Sequence, residues 1–179
     1  MSTSANARLS SDSVVNAAIT LLDRDGGRPV TLAELASFVS VKPPSLYTHV
    51  ASLEDLTERV RTRGRSLLVE ALREASVGRS GKEALRSVAH AYRSFGRQHP
   101  GVYPVLFRGE AAAGEAVRQV LLKAISPDRV DEDHQLAATI ILSGLHGFVS
   151  LEIAGQLGPK SDPDRKFDQL LRVLWKAVP

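Results

Sequence analysis

The hydrophobic residues of this chain recur at intervals of three and four positions, which is the spacing of one helix face. The first such stripe runs from Val14 to Leu22, and the last one contains Phe167, Leu170, Leu171, Leu174, Trp175 and Val178. Strand signals are missing, because no stretch alternates with a period of two and no Asn-Gly or Asp-Gly turn lies between β-branched runs. The pattern predicts an all-α fold.

Capping residues and helix breakers divide this pattern into separate helices. A serine, threonine or aspartate followed closely by a carboxylate or a proline marks a helix start, and these starts are Ser10 or Ser11, Thr31 with Glu34, Ser52 with Asp55, Ser80 with Glu83, and Asp162 before Pro163. Glycine and proline mark the ends, which are Gly26-Gly27, Lys42-Pro43-Pro44, Gly78, His99-Pro100-Gly101, Ser126-Pro127 and Gly158-Pro159. The third helix is predicted from Pro43 to about Val50.

Residues 31–50 are predicted to form two short helices joined by a turn, behind an amphipathic first helix. Such a scaffold presents its second helix to the major groove of DNA. A more specific signature is carried by Thr31, Leu32, Leu35, Ala36, Val41, Ser45, Leu46, Tyr47, His49, Val50 and Leu56. In order and spacing these residues resemble the DNA-binding motif of the TetR/AcrR family of transcription regulators. The alternative is a short helical hairpin in an unrelated bundle.

The resemblance implies a role for each part of the motif. The packing positions would be Leu35, Ala36, Val41 and Leu46. The residues toward DNA would be Thr31, Lys42, Pro43, Pro44, Ser45, Tyr47, Thr48 and His49. Ser40 stands where the family has a turn glycine, so we expect a left-handed conformation or a wider turn there. Leu53 replaces a lysine that is common in the family, and Arg8 and Arg28 are spare cations that could compensate, with solvated surface charge as the alternative for each.

The family plan divides the chain into two domains. A three-helix helix-turn-helix domain, residues 1–51, would be joined by a long helix to a helical domain, residues 52–179, that dimerises and binds ligand. His146-Gly147 resembles the Trp-His-Gly segment after which one C-terminal domain type of the family is named, with Leu145 in place of tryptophan. Gly144 and Gly147 would leave a flat strip for a neighbouring helix.

A homodimer interface is predicted on the last two long helices, which would form a four-helix bundle with a second copy. Its residues would be Leu145, Phe167, Leu170, Leu171, Leu174 and Trp175. The alternative is a purely intramolecular core. A largely apolar pocket for an unknown small-molecule ligand is predicted nearby, lined by Tyr92, Phe95, Tyr103, Phe107, His146, Phe148 and Glu152. Ordinary core packing is the alternative for each of them.

These features predict a regulator, a repressor, that binds double-stranded operator DNA and is released by its ligand. The chain has 179 residues, a net charge of +3 and no cysteine, which excludes disulfides, cysteine-ligated zinc and a thiol nucleophile. Its histidines lack the spacing of a metal pair on a helix, and no phosphate-binding or hydrolase motif occurs, so we expect neither metal nor cofactor.

Location and alternative functions follow from the same sequence. No apolar run approaches the ~20 residues that span a bilayer, so we expect a cytoplasmic protein without membrane contact. Two other interpretations stay open at this point. One is an all-helical enzyme that uses His146 and Glu152 as an acid/base pair, and the other is a helical adaptor that binds protein.

Overall fold

The computed structural model describes residues 9–108, 112–158 and 162–179. All regular secondary structure in these ranges is helical, which confirms the predicted fold class. In chain order the helices are α1 (Ser11–Arg24), α2 (Leu32–Phe38), α3 (Pro43–Leu46), α4 (Leu53–Ser76), α5 (Gly81–Gln98), α6 (Tyr103–Leu106), α7 (Ala112–Ile125), α8 (Glu132–Ile153) and α9 (Pro163–Trp175).

Most of the predicted helix starts are confirmed by cap hydrogen bonds. A side-chain oxygen accepts from a backbone N–H of the first turn at Ser10, Thr31, Ser52 and Asp162. Ser80 is the exception, because it occupies the N-cap position of α5 without a side-chain cap bond. Its expected partner Glu83 instead lies 3.4 Å from the guanidinium of Arg79.

The third helix is shorter than predicted. α3 ends at Leu46, and the chain continues to Val50 in turns rather than in helix. The backbone N–H groups of His49 and Val50 both donate to the carbonyl of Leu46, at 2.8 and 3.0 Å. These bonds close the segment after α3 into a compact loop, so the chain reaches α4 within six residues.

The first three helices share a core with the start of α4. Val14 of α1, Leu35 of α2 and Leu46 of α3 are fully buried, and Leu56 of α4 is nearly so. The 24-residue α4 then runs on to pack along α5, α6 and α7. Arg65 on α4 donates from its Nε to the carbonyl of Leu106 at 3.0 Å. The division into domains at residues 51 and 52 stays a prediction.

The α5 helix is the centre of the C-terminal bundle and contacts α4, α7, α8 and α9. α8 approaches it closely at Gly96, where an added Cβ would overlap the Val149 side chain. α9 approaches α8 at Gly144, where a Cβ would lie 2.8 Å from Leu174. This confirms the predicted flat strip at Gly144, whereas a Cβ at Gly147 would meet nothing within 4 Å.

The end of α1 is fastened to the loop between α5 and α6. The Asp23 carboxylate accepts the backbone N–H groups of Gly101 and Val102, both at 3.0 Å, and lies 2.7 Å from Nδ1 of His99. The two backbones touch here, because a Cβ on Gly101 would overlap the carbonyl of Leu22. We call these contacts the Asp23 junction; they join the first three helices to the C-terminal bundle.

The α8 helix is more apolar than the sequence analysis expected. Its 22 residues include an 18-residue window with a mean hydropathy of 1.6, so within the described ranges it alone is long and apolar enough to cross a membrane. Only 28% of that window is buried in the chain. Ile141, Leu145 and Val149 nevertheless face the core completely, so α8 is a core helix that also exposes a second apolar face.

Candidate functional site

Buried side chains and a backbone hydrogen bond hold the turn between α2 and α3. Leu35, Ala36 and Leu46 are at most 1% exposed, and the Val41 N–H donates to the Ala36 carbonyl at 2.9 Å. Ser40 has a φ of 58°, and no other non-glycine residue in the described ranges has a positive φ. The left-handed conformation expected of Ser40 is thus confirmed, at a cost of about 1–2 kcal/mol for a residue with a Cβ.

Glu34 ties the start of α2 to the loop before it. Its carboxylate accepts the Thr31 backbone N–H at 2.9 Å and the Thr31 hydroxyl at 2.8 Å, and Arg28 donates to it at 2.6 Å. These bonds, the Thr31 backbone N–H first among them, lower the pKa of Glu34 to about 2. Arg28 also lies 3.5 Å from Asp25. Arg28 is therefore an ion-paired residue, so the expectation of a spare cation was wrong for it, and Arg8 lies outside the described residues.

The segment after the turn presents most of the predicted DNA-facing residues on the surface. The exposed residues are Lys42, Pro43, Pro44, Ser45, Tyr47 and Thr48 of that segment together with Thr31 at the start of α2, and His49 is partly buried. Tyr47 keeps 58% of its surface exposed. The Thr48 hydroxyl donates to the Ser45 carbonyl at 2.7 Å, and the Ser11 hydroxyl donates to the His49 carbonyl at 3.2 Å. These bonds hold the segment in one conformation against α1.

Four of the predicted ligand residues come together between α5, α6 and α8. The Tyr103 hydroxyl donates to the Tyr92 hydroxyl at 2.9 Å, and these two oxygens lie 2.8 and 3.3 Å from Nδ1 of His146. Phe107 packs edge-on against the His146 ring, with centroids 4.6 Å apart. We call these residues the tyrosine–histidine cluster. Its side chains fill the space between the helices with their own atoms.

Burial sets the charge state of this cluster. It raises the pKa of both Tyr92 and Tyr103 far above the ordinary value for tyrosine, and it lowers the pKa of His146. At neutral pH the cluster therefore holds two protonated tyrosine hydroxyls and a neutral imidazole. A ligand that carries both a donor and an acceptor could replace these bonds.

Phe148 and Glu152 belong to a second group, built on Arg93. The Arg93 side chain is 6% exposed and donates two bonds to the Glu152 carboxylate, at 2.6 and 2.8 Å. Its guanidinium lies over the rings of Phe148 and Phe167, and Asp164 completes the set at 2.7 Å. These bonds explain why Glu152 tolerates burial. Because His146 and Glu152 bind different partners, the proposed acid/base pair between them was wrong.

The seventh candidate, Phe95, lies apart from both groups. It is 5% exposed and packs against the ring of His99, 4.7 Å away between centroids, beside the Asp23 junction. The structure thus divides the predicted pocket residues into three neighbourhoods.

Known proteins resemble this chain in both sequence and structure. A model of the tetracycline repressor-like C-terminal domain matches residues 85–174. An HTH-type transcriptional regulator of Mycobacterium tuberculosis is 36% identical over 177 residues, which cover 93% of this chain and 81% of that protein. An HTH-type transcriptional regulator of Bacillus subtilis is 32% identical over 145 residues, which cover 77% of this chain and 76% of that protein. The chain belongs to the TetR family of transcriptional regulators.

Solved structures of TetR-family proteins share the fold of this regulator. A possible family member from Streptomyces coelicolor superimposes with a TM-score of 0.74 at 19% identity, covering 93% of this chain and 97% of its own. A TetR variant from Acinetobacter baumannii, solved in complex with minocycline, gives 0.71 at 16% identity over 94% and 96% of the two chains. The family consists of transcription regulators rather than enzymes, which removes the enzyme interpretation.

The predicted dimer residues of the regulator need correction. Leu145 and Phe167 are fully buried inside the single chain, and Leu171 and Leu174 are 8% and 5% exposed. These four residues complete the chain's own core and cannot form a surface for a partner. Leu170 and Trp175 are partly exposed. The structure instead exposes a different set of apolar residues on the same two helices, which are Leu136, Ile140, Leu151 and Val173.

Arg93 and Asp23 hold two of these buried groups of contacts together, and the sequence analysis identified neither residue. Both lie in helices that the hydrophobic pattern predicted, but an isolated charge on a helix usually faces solvent. For Arg93, its position next to Tyr92 on an apolar stripe was a sequence signal of burial, because a buried charge needs a partner. For Asp23, the partners are backbone N–H groups 78 and 79 residues away, and sequence spacing carries no sign of them.

Proposed function

We propose that this regulator is a repressor that binds a palindromic operator as a homodimer in the cytoplasm and leaves it when a small molecule binds the C-terminal unit. The observation that carries this proposal is the segment from Lys42 to Thr48, whose side chains are exposed except for Leu46, which is buried in the core with Leu35 and Ala36. A rigid base lets the segment enter the major groove in a fixed register.

Three residues of that segment are the strongest candidates for direct contact. Lys42 supplies a full charge for a phosphate, and Ser45 and Tyr47 supply exposed hydroxyl groups. The hydroxyls of Thr31 and Thr48 already donate within the chain. In a two-fold dimer the two segments lie about 34 to 36 Å apart, one turn of DNA, or a multiple of that.

Replacing Tyr47 with alanine tests the orientation of this segment. Because Tyr47 packs against so little of the chain, we expect the variant to fold normally and to bind the operator about tenfold or more weakly, the loss of one specific contact. The operator would be selected with the wild-type protein from a random duplex library, and affinity would be measured by fluorescence anisotropy.

Val77→Ala is the matched control, since Val77 is 72% exposed at the end of α4, away from the segment. Equal operator affinity for Tyr47→Ala and wild type would contradict the proposed orientation. A salt titration separates the regulator from a protein-binding adaptor, because affinity for DNA falls steeply with salt through counterion release.

Support for a homodimer comes from the exposed apolar face of α8 and α9. Leu136, Ile140, Gly147 and Leu151 fall on one side of α8, and Val173 lies on α9, which packs beside it. Covering this face with the same face of a second copy would give a four-helix bundle with a two-fold axis. Gly147, with open space around it, would let the two α8 backbones approach closely.

The tyrosine–histidine cluster is the proposed site of the small-molecule signal. It offers two hydroxyls and one imidazole in apolar surroundings, and α6 carries Tyr103 next to Val102 of the Asp23 junction. A ligand there could therefore move α6 and, through the junction, α1. To act as an inducer it must bind the DNA-free state more tightly than the DNA-bound state. The TetR variant of Acinetobacter baumannii, which has the same fold, was solved in complex with the small molecule minocycline, and this supports the proposal of a small-molecule site.

The variant His146→Ala tests which of the two buried groups binds the ligand, the tyrosine–histidine cluster or the group built on Arg93. Ligands would be taken from a thermal-shift screen of the wild type and kept if they weaken operator binding, with an expected coupling of about 5- to 150-fold. We expect His146→Ala to lose this effect and Phe148→Ala to retain it, because Phe148 packs with Arg93 and not with the cluster. A ligand that acts equally on both variants would exclude the cluster.

A further inference from the structure

A separate cavity of about 180 Å³ lies where α1, α4 and α6 meet. The apolar side chains of its wall include Ala18, Leu22, Val30, Leu56, Val60 and Val105. No member of the tyrosine–histidine cluster lines it, and neither does the Lys42–Thr48 segment. It is therefore distinct from both sites described above.

The size and lining of this cavity fit one small ring. A dry cavity of about 150 Å³ lined by aliphatic and aromatic side chains is large enough to bind benzene. Leu56 and Val60 are each 2% exposed, so the deep part of the wall consists of core side chains. An apolar ring placed there would exchange water for side-chain contacts on several faces.

The charged part of the wall is purely basic. Arg61 and Arg108 line the cavity, and no acidic residue is among the described residues that do. Arg61 donates from Nη1 to Glu58 at 2.9 Å, but its Nε is buried and has no hydrogen-bond partner in the part of the chain that the structure describes. A buried donor without an acceptor is unfavourable, and a carboxylate is the acceptor that a guanidinium binds best.

We propose that this cavity binds a small carboxylic acid with one apolar ring, about the size of benzoate. The ring lies among Leu22, Val60 and Val105, and the carboxylate accepts a hydrogen bond from Arg61. The bound acid touches α1, α4 and α6 at once, so it stabilises the arrangement of the first three helices on the C-terminal bundle. This site does not depend on the operator-binding proposal, because binding is measured without DNA.

Calorimetric titration of the full chain with benzoate and with benzyl alcohol tests the proposal. Benzyl alcohol has the same ring without the charge, so we expect it to bind about 10- to 100-fold more weakly, the difference made by a hydrogen bond between charged groups. At about 100 times its Kd, benzoate should raise the melting temperature by about 5 to 10 °C.

Three variants locate the binding. Arg61→Met should remove the preference for benzoate over benzyl alcohol. Arg63→Met, which removes the same charge from an exposed position of α4 outside the cavity, should keep it. Val105→Phe should weaken both ligands by filling the space. Circular dichroism and melting curves show that each variant is folded. No binding of benzoate to the wild type, or unchanged binding to Arg61→Met or Val105→Phe, would overturn the proposal.

Discussion

Replacing Ile140 with glutamate is expected to convert the regulator into monomers and to abolish tight operator binding. Ile140 is 42% exposed in the single chain and lies in the middle of the apolar face of α8. In a two-fold dimer each interface would receive two new carboxylates without partners, at several kcal/mol each. The loss of the dimer then removes one half-site contact from every complex. Sedimentation velocity and operator anisotropy measure the two effects.

Gln135→Glu is the matched control for that experiment. It adds the same charge to an exposed position of α8 that lies about 140° round the helix from Ile140. We expect this variant to sediment as the wild type does. If Ile140→Glu also sediments as the wild type, the apolar face of α8 is not the dimer interface.

Gly101→Ala is expected to cost about 3 kcal/mol or more of folding free energy, a loss in melting temperature of about 6 to 12 °C. The added Cβ would overlap the Leu22 carbonyl and crowd the Asp23 N–H. Both neighbours are backbone atoms of α1, so neither can rotate away as a side chain would. The α5–α6 loop has to withdraw from α1, which also stretches the bonds from Gly101 and Val102 to Asp23.

Gly114→Ala is the matched control, because it makes the same chemical change at a position that has room for a Cβ. The nearest atom to its added Cβ is Leu142 Cδ2 at 3.9 Å, an ordinary contact, and Gly114 lies within α7. Alanine favours a helix over glycine by up to about 1 kcal/mol, so this variant should melt at or above the wild-type temperature. A Gly101→Ala protein that melts with the wild type would mean that the contact between α1 and the loop is loose.

The DNA-binding end of the chain could be predicted because its signals are local. A capping box depends on Thr31 and Glu34 alone, and the turn after α2 shows itself as a polar residue between two apolar helices. Ser40 takes the left-handed conformation that its place in the motif implies. The length of α3 was overestimated, because proline signals the start of a helix well and nothing in residues 47–50 signals its end.

The C-terminal predictions were less accurate because periodicity does not tell which side of a stripe is covered. Six residues of the last helix form an apolar stripe, but the chain itself buries Phe167, Leu171 and Leu174. The apolar face that is left exposed lies on α8 and includes Leu136 and Ile140. In an evenly apolar helix the two faces look alike in sequence, and only the packing of α5, α7 and α9 around α8 tells them apart.

The tyrosine–histidine cluster is filled by its own side chains, and for the ligand site proposed above this has a consequence for the dose at which the regulator would respond. A ligand that uses Nδ1 of His146 has to displace the hydroxyls that lie 2.8 and 3.3 Å from it. Only molecules in which the cluster has opened can accept the ligand, and the apparent dissociation constant rises as that fraction falls. In the proposed mechanism, the strength of these internal contacts would thus set the ligand concentration that is needed for a response. Stronger contacts within the cluster would raise the inducer concentration at which the same gene responds, without any change in the residues that contact DNA.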